Sequence, residues 1–327
     1  MTARVAVIGV GVMGQIHVEN VRRISGVELV AVCDADTDKA RSLADGLGIR
    51  SVADPLELIG QWDLDGVVVA SSDDSHPDLV LACIAAGLPV LCEKPLALTL
   101  AEAQGVMTAE TAHGRRLVQL GFMREFDPAH VAVRDVLRTG SIGRPVLVRG
   151  THVNMDTAPF RMTGEEAIVK SMVHDIHSAR FLTGREFVDV HARSIPAEDN
   201  PAYTRYVVVS ATLDDGSIAL LDTNMESNYG YAVNVEVVGT HGSVCTPQPM
   251  SAHVALRGVE GGTLSSGIAT HWRERFADAY RIEAEAWVAS LIAGEVTGPS
   301  CADGYSAQLI ADACCQSLRT GSAVRVH

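Results

Sequence analysis

Lysine is nearly absent from this chain: only Lys39, Lys94 and Lys170 occur in 327 residues, against 23 arginines. An arginine bias explains the total but not which positions kept lysine. The two side chains are chemically distinct, so each remaining lysine asks for a reason. Positive charge is short overall. The 26 Lys and Arg face 40 Asp and Glu, a net charge of −14, which repels nucleic acid and anionic membrane surfaces and argues against both as partners. Long apolar runs are missing too, since none approaches the roughly 18 residues that a membrane helix needs. The apolar stretch that starts at Val5 breaks at glycines and continues polar, unlike a signal peptide. The expectation is a cytoplasmic protein. The seven cysteines are odd in number and include no C-x-x-C, which excludes a complete disulfide framework and a zinc ribbon. Most lie in apolar stretches, as small buried hydrophobes do.

What remains is globular. Apolar residues make 47% and charged residues 20% of the chain, and the length suits two domains of roughly 100–200 residues each. Up to residue 121, short β-branched runs at 5–10, 29–34, 66–70, 90–92 and 117–121 alternate with helix-like segments such as 38–47 and 77–86. Several of these runs are apolar on both faces, as in a parallel sheet covered by helices. Thr99 followed by Glu102 is a capping-box pattern that opens a further helix at Leu100. The alternation predicts an α/β fold with an N-terminal Rossmann doubly wound parallel sheet.

After Phe122 the pattern changes. Helices are predicted at 128–139 and 168–182, followed by long strands at 188–193, 206–213, 218–227 and 233–239, with Asp215-Gly216 as a hairpin turn. Helical periodicity returns at 276–292 and 307–318. This predicts a C-terminal α/β domain built on a large, mostly antiparallel open sheet. The boundary is placed near 121–124, giving a nucleotide-binding domain at 1–122 and a substrate-binding and oligomerisation domain at 123–327. No internal repeat stands out.

Gly9-Val10-Gly11-Val12-Met13-Gly14 is a G-x-G-x-x-G that follows the first strand and precedes a helix-like segment at 15–23. In that setting Gly9 permits the tight turn, Gly11 lets the backbone approach a pyrophosphate, and Gly14 allows close helix packing. The helix N-terminus adds amide donors and dipole for the phosphates. Asp34, twenty residues beyond Gly14, matches the acid that hydrogen-bonds an adenosine ribose diol and would repel a 2′-phosphate. NAD is the expected cofactor, although FAD, or SAM on a related sheet, shares part of this pattern. Further along, Val169, Met172, Val173 and Ile176 follow i, i+3, i+4, i+7 spacing as an apolar helix face, and Lys170, His174 and His177 follow it on an adjacent stripe. From periodicity alone that stripe reads equally as solvent-facing polar residues or a hydrogen-bonded core histidine. His174 and His177 could present two metal ligands, but no third stands at a telling spacing, and no metal is expected.

Glu93-Lys94-Pro95 after the fifth strand and Gly121-Phe122-Met123-Arg124 entering the second domain, together with the glycine loop, resemble the Gfo/Idh/MocA oxidoreductase family. The likeness continues through His174-Asp175-Ile176-His177 and Asn228-Tyr229-Gly230-Tyr231 to Phe276-Ala277-Asp278-Ala279-Tyr280, and is closest to its inositol 2-dehydrogenases. The resemblance implies reversible hydride transfer between a nicotinamide cofactor and a ring hydroxyl of a cyclic polyol or sugar. It also implies homodimers or homotetramers formed through the open sheet. It maps a hydroxyl-contacting lysine to Lys94 and an acid/base histidine to His174. Gly9, Gly11, Val12, Met13, Gly14, Asp34, Ser71, Ser75, His76, Glu93, Lys94 and Arg124 fall to the cofactor, and His152, Asn154, Lys170, His174, Tyr229, Tyr231 and Tyr280 to the substrate.

The implied roles suit the chemistry. Oxidising a secondary alcohol requires loss of the hydroxyl proton, which an imidazole titrating near neutrality can accept, while an ammonium stabilises developing alkoxide. One position departs from the pattern: relatives carry Asp four residues before the catalytic histidine, and here Lys170 stands there. Lys170 points elsewhere, holds His174 neutral as a base, or binds an anionic group on the substrate. Two rival functions are an NAD-dependent glycoside hydrolase or epimerase with transient oxidation, and a non-catalytic NAD-binding sensor.

Overall fold

The computed structural model describes residues 2–155, 161–227, 230–246, 256–257, 263–264, 269 and 271–327. The chain divides into two compact units, one of Met1–Phe126 with Ala279–Ser306, the other of Asp127–Asp278 with Ala307–His327. The sequence suggested a single boundary near 121–124, but a late helical segment returns to the first unit. The reason is packing, since Trp287 and Val288 are buried with Val5, Val7, Val18, Val32 and Leu91 in one core cluster.

The first unit alternates β1 (Ala3–Ile8), α1 (Val12–Val21), β2 (Val27–Cys33), α2 (Thr37–Leu47), β3 (Arg50–Val52), α3 (Pro55–Gln61), β4 (Gly66–Val69), α4 (His76–Ala85), β5 (Val90–Glu93), α5 (Leu100–His113) and β6 (Val118–Gly121). The six strands form a sheet in the order β3-β2-β1-β4-β5-β6, parallel at every pairing. Every residue of β4, β5 and β6 is buried, as expected of strands covered by helices on both faces. Local chemistry sets the helix ends. Asp36 and Asp54 accept from the amides of Lys39 and Leu56 at the starts of α2 and α3. Thr99 and Glu102 form the reciprocal capping box of α5. Strand β3 escaped the sequence reading because it is a three-residue edge strand with two exposed residues.

The second unit holds α6 (Pro128–Arg138), β7 (Pro145–Met155), α7 (Gly164–Ala167), a π-helical turn at Ile168–Met172, α8 (Val173–Thr183), β8 (Phe187–Pro196), β9 (Thr204–Leu213), β10 (Ile218–Ser227), β11 (Ala232–Gly239), β12 (Ser243–Cys245) and the short pair β13 (Leu256–Arg257) and β14 (Thr263–Leu264). Helix α9 (Trp272–Ala293) begins in this unit, and α10 (Cys301–Thr320) and β15 (Val324–Arg325) end the chain. Seven strands run in the order β12-β11-β7-β10-β9-β8-β15. All pairings are antiparallel except β7 with β10. The Asp215-Gly216 turn joins β9 to β10, with Gly216 at φ +82°, a conformation that favours glycine. One sheet face packs Val190, Val207, Val209, Leu221 and Val237 against Ile176, Ala179 and Leu182 of α8 and Ile310 and Cys314 of α10. Strand β7 was not anticipated, because Pro145, Arg149, Gly150 and Thr151 interrupt its apolar pattern.

All seven cysteines are free, and six of them are buried. Burial pushes the Cys33 thiol up to about 11 and the Cys83 thiol up to about 12, so these are inert packing groups. Among the described residues, no helix is long and apolar enough to cross a membrane.

Candidate active site

In the first unit the three loop glycines have separate steric roles. Gly9 adopts φ +89°, and a Cβ there would lie 2.3 Å from the Ala70 carbonyl oxygen. A Cβ on Gly14 would lie 1.8 Å from the Gly9 carbonyl oxygen, so α1 can sit against the loop only with glycine there. At Gly11 a Cβ would meet nothing within 4 Å, which leaves open space at the helix start. Gly11 is also the N-cap of α1 and offers no side chain to its amides. Open space in front of helix amides is what a pyrophosphate needs. The Asp34 carboxylate accepts from the Val10 amide at 2.6 Å and the Asp36 amide at 2.9 Å. A carboxylate has about four acceptor sites, so capacity remains for a ribose diol. These residues fit NAD.

The ends of β4 and β5 carry the rest of the predicted cofactor set. The Ser71 and Ser75 hydroxyls are 2.6 Å apart, and Ser75 donates to the Ser72 carbonyl at 2.7 Å. Buried His76 has Nδ1 2.7 Å from the Pro95 carbonyl oxygen and Nε2 3.3 Å from that of Ser71. A carbonyl only accepts, so His76 donates through Nδ1 to Pro95 and ties the two strand ends together. Glu93, last in β5, is buried with Oε1 2.8 Å from His17 Nε2 of α1. Lys94, joined to Pro95 by a cis peptide bond, is therefore flanked on both sides by residues that buried histidines hold. Arg124 is buried on the turn after β6. Tyr280, predicted for substrate, packs its ring edge-on to His17 at 6.4 Å.

In the second unit, β7, β10, α8, the π-helical turn before α8 and the residue before β11 gather polar side chains. His152 Nδ1 lies 2.9 Å from Asp175 Oδ2 and 3.3 Å from Ser171 Oγ, and His152 Nε2 lies 3.1 Å from the Tyr231 hydroxyl. Because the Asp175 carboxylate accepts, His152 donates through Nδ1, and its Nε2 accepts from Tyr231. Asn154 Nδ2 donates to the hydroxyls of Ser171 and Thr223, each at 3.3 Å. His174 and His177 are both buried on α8, within a run of buried residues at 171–179.

The three residues of the expected stripe differ in their surroundings: His174 and His177 are buried on α8, whereas Lys170 is exposed. Lys170 lies in the π-helical turn, which breaks the α-helical spacing toward His174. Its side chain is 51% exposed and its Nζ is 3.0 Å from Glu166 Oε1, four residues earlier. Glu166 itself completes a capping box with Thr163. The carboxylate next to His174 in the chain, Asp175, pairs with His152. Tyr229 lies outside the described residues.

Sequence reasoning missed His17, Ser171, Asp175, Thr223 and Glu283. Asp175 had a signal in its adjacency to His174, and His17 in its place three residues after Gly14. Glu283 is an acid inside an apolar helix face, since Ala284, Trp287 and Val288 around it are all buried.

The family model described as "Oxidoreductase family, NAD-binding Rossmann fold" matches residues 3–122, and that of the GFO/IDH/MocA C-terminal domain matches residues 130–245. The chain belongs to the GFO/IDH/MocA oxidoreductase family. Its cofactor is NAD, which the first unit's loop chemistry fits. An inositol 2-dehydrogenase of Rubrobacter xylanophilus is 40% identical, covering 99% of this chain and 93% of that protein. Inositol 2-dehydrogenase 1 of Saccharopolyspora erythraea is also 40% identical, covering 100% and 97%. The crystal structure of myo-inositol dehydrogenase from Lactobacillus casei, in complex with NAD(H) and myo-inositol, superposes with a TM-score of 0.94 at 28% identity, covering 100% of this chain and 97% of that one. This GFO/IDH/MocA member is thus an inositol 2-dehydrogenase-like, NAD-dependent oxidoreductase.

Proposed function

We propose that this oxidoreductase oxidises a ring hydroxyl of a neutral cyclic polyol, an inositol or closely related sugar, to a ketone. The observation that carries this reading is the hydroxyl- and amide-rich group of His152, Asn154, Ser171, Asp175 and Tyr231, in a chain alike over its full length to inositol 2-dehydrogenases. Such a group suits a substrate that is both donor and acceptor at every carbon, and sites built for hydroxyls reject analogues that lack them.

His174 accepts the proton of the reacting hydroxyl, a task suited to imidazole. The Lys94 ammonium stabilises the alkoxide as it develops, and the His76 and His17 contacts to its neighbours hold its backbone. Bound NAD, held by the Gly9–Gly14 loop and Asp34, supplies the hydride acceptor. His152, fixed by Asp175, and Asn154 orient the other ring hydroxyls. Lys170 is exposed and paired with Glu166, which supports a neutral substrate over an anionic one. Two copies pair through the sheet face opposite α8 and α10, where Val208 and Leu220 are only half-buried.

The test is NADH formation from inositols, aldoses, uronic acids and phosphorylated sugars. Neutral cyclitols or aldoses should give the best kcat/KM. Turnover confined to anionic sugars, or lost with Lys170→Asp, would contradict the reading.

A further inference from the structure

Behind Lys94 lies a buried group with no role in the chemistry so far. A ring nitrogen of His17, a Glu93 carboxylate oxygen and a Glu283 carboxylate oxygen lie within 4.8 Å of one another, and all three residues are buried. They come from α1, the end of β5 and α9, and all belong to the first unit. Glu93 is closely fitted. Its Oε1 meets His17 at 2.8 Å, and its Oε2 lies 3.0 Å from where a Cβ on Gly121 would stand. Glu283 is 0% exposed, and neither of its carboxylate oxygens has a hydrogen-bond partner among the described residues.

An ionised carboxylate in that position would be buried, without a donor, and beside a second carboxylate. Each of those conditions costs several kcal/mol. A protonated carboxyl has an O–H donor, and a Glu93 carboxylate oxygen lies within 4.8 Å of one of Glu283 to accept it. The groups facing Glu283 are Glu93 on β5, Glu125 on the turn after β6, and His17 on α1 with the Tyr280 ring against it. Burial pushes the Glu283 carboxyl well above its ordinary value, and the charges of Glu93 and Glu125 add to the effect.

We propose that Glu283 is a positioning residue held as the neutral acid, which together with His17 pins the Glu93 carboxylate and so fixes the strand end from which Lys94 projects. This inference rests on the role given above to Lys94. Donation from Glu283 and His17 to one carboxylate leaves Glu93 a single arrangement, and its backbone runs directly into Lys94. Ionisation of Glu283 would set a second negative charge against Glu93 and loosen that arrangement.

The tests compare E283Q, a neutral isostere that can still donate, with E283L, which cannot. A carboxyl that is neutral when folded and ionised when unfolded binds more protons in the fold, so stability falls as pH rises above the unfolded value of about 4.5. E283Q lacks that loss. Its thermal midpoint relative to the parent should therefore rise between about pH 5 and about pH 8. A flat or falling difference would show an ionised Glu283 and overturn the proposal.

Lys94 can be observed without substrate. With three lysines in the chain, reductive 13C-methylation gives three lysine signals, and Lys94→Arg assigns one. The Lys94 signal should be unchanged in E283Q and shifted or broadened in E283L; a signal unmoved in both would overturn the positioning role. In turnover, E283L should lower kcat about tenfold or more with NAD affinity kept, and E283Q should restore it. If E283Q were as impaired as E283L, the neutral-acid assignment would fail. A stoichiometric divalent metal in the purified protein that is lost in E283Q would replace the shared proton with a metal site and also overturn it. Inactivity of the parent toward every polyol, with the stability and NMR results as expected, would count against the functional reading alone.

Discussion

Two buried histidine–carboxylate pairs stand in the two units with different surroundings. His17–Glu93 is faced by a second acid, Glu283, and by the Tyr280 ring. His152–Asp175 is faced by the hydroxyls of Ser171 and Tyr231. The first pair ends the strand that leads to Lys94, and under the proposal above it acts on backbone placement. The second pair sits among groups that both donate and accept, and it adjoins His174 in the chain. In the proposed reading, a histidine–carboxylate pair is a mount in one unit and a recognition group in the other, and the neighbours set the difference.

The comparison breaks most sharply at the groups each pair supports. Lys94→Ala and His174→Ala should each lower kcat by about 100-fold to 10,000-fold while NAD affinity, measured by fluorescence titration, changes little. Near-parental turnover in either variant would remove that residue from the chemistry. Removing the anchor of the recognition pair with Asp175→Ala should cost about tenfold to 100-fold in kcat/KM, with a raised KM as its mark. A third pair provides a purely structural reference. Asp127 accepts from His130 at 2.6 Å and from both Arg275 terminal nitrogens at 2.8 and 3.0 Å.

Burial pushes the Asp127 carboxyl up, but the His130 and Arg275 hydrogen bonds outweigh it and hold the group below the carboxylate range. Its folded value is depressed, so its stabilisation is present above an unfolded value of about 3.8 and is lost as pH falls below that. Asp127→Asn should destabilise by about 3–5 kcal/mol at neutral pH in denaturant melts, and much less near pH 2. Gly121→Ala should press on Glu93 and lower kcat a few-fold without changing NAD affinity, which would separate mounting from cofactor binding. The smallest effect is expected for Lys170→Ala. An exposed i,i+4 pair is worth about 0.3–0.5 kcal/mol, and turnover of a neutral cyclitol should stay within about threefold.

The nucleotide-binding unit was largely legible in the sequence because its signals are local. The glycine loop, Asp34, the Thr99 capping box and the buried β-branched strands each depend on neighbours within a turn or a strand. The return of Trp287 and Glu283 to that unit depends on packing between segments distant in the chain, as Trp287 with Val5 and Leu91 shows, and no local pattern encodes it. In the second unit the long strands were read, but β7 was hidden by Arg149, Gly150 and Thr151. The π-helical turn that holds Lys170 was invisible to a periodicity argument that assumes one helical pitch. His152 and Asn154 were named from resemblance, whereas the partner of His152, Asp175, required the fold.

The most direct measurement is NADH formation from myo-inositol and related neutral cyclitols by the parent protein and by His174→Ala, over a range of pH. The account predicts NAD-dependent turnover of at least one neutral cyclitol, rising through a single ionisation near the histidine range and abolished in His174→Ala. Absence of turnover on every neutral cyclitol, or turnover that survives in His174→Ala with the same pH profile, would contradict it.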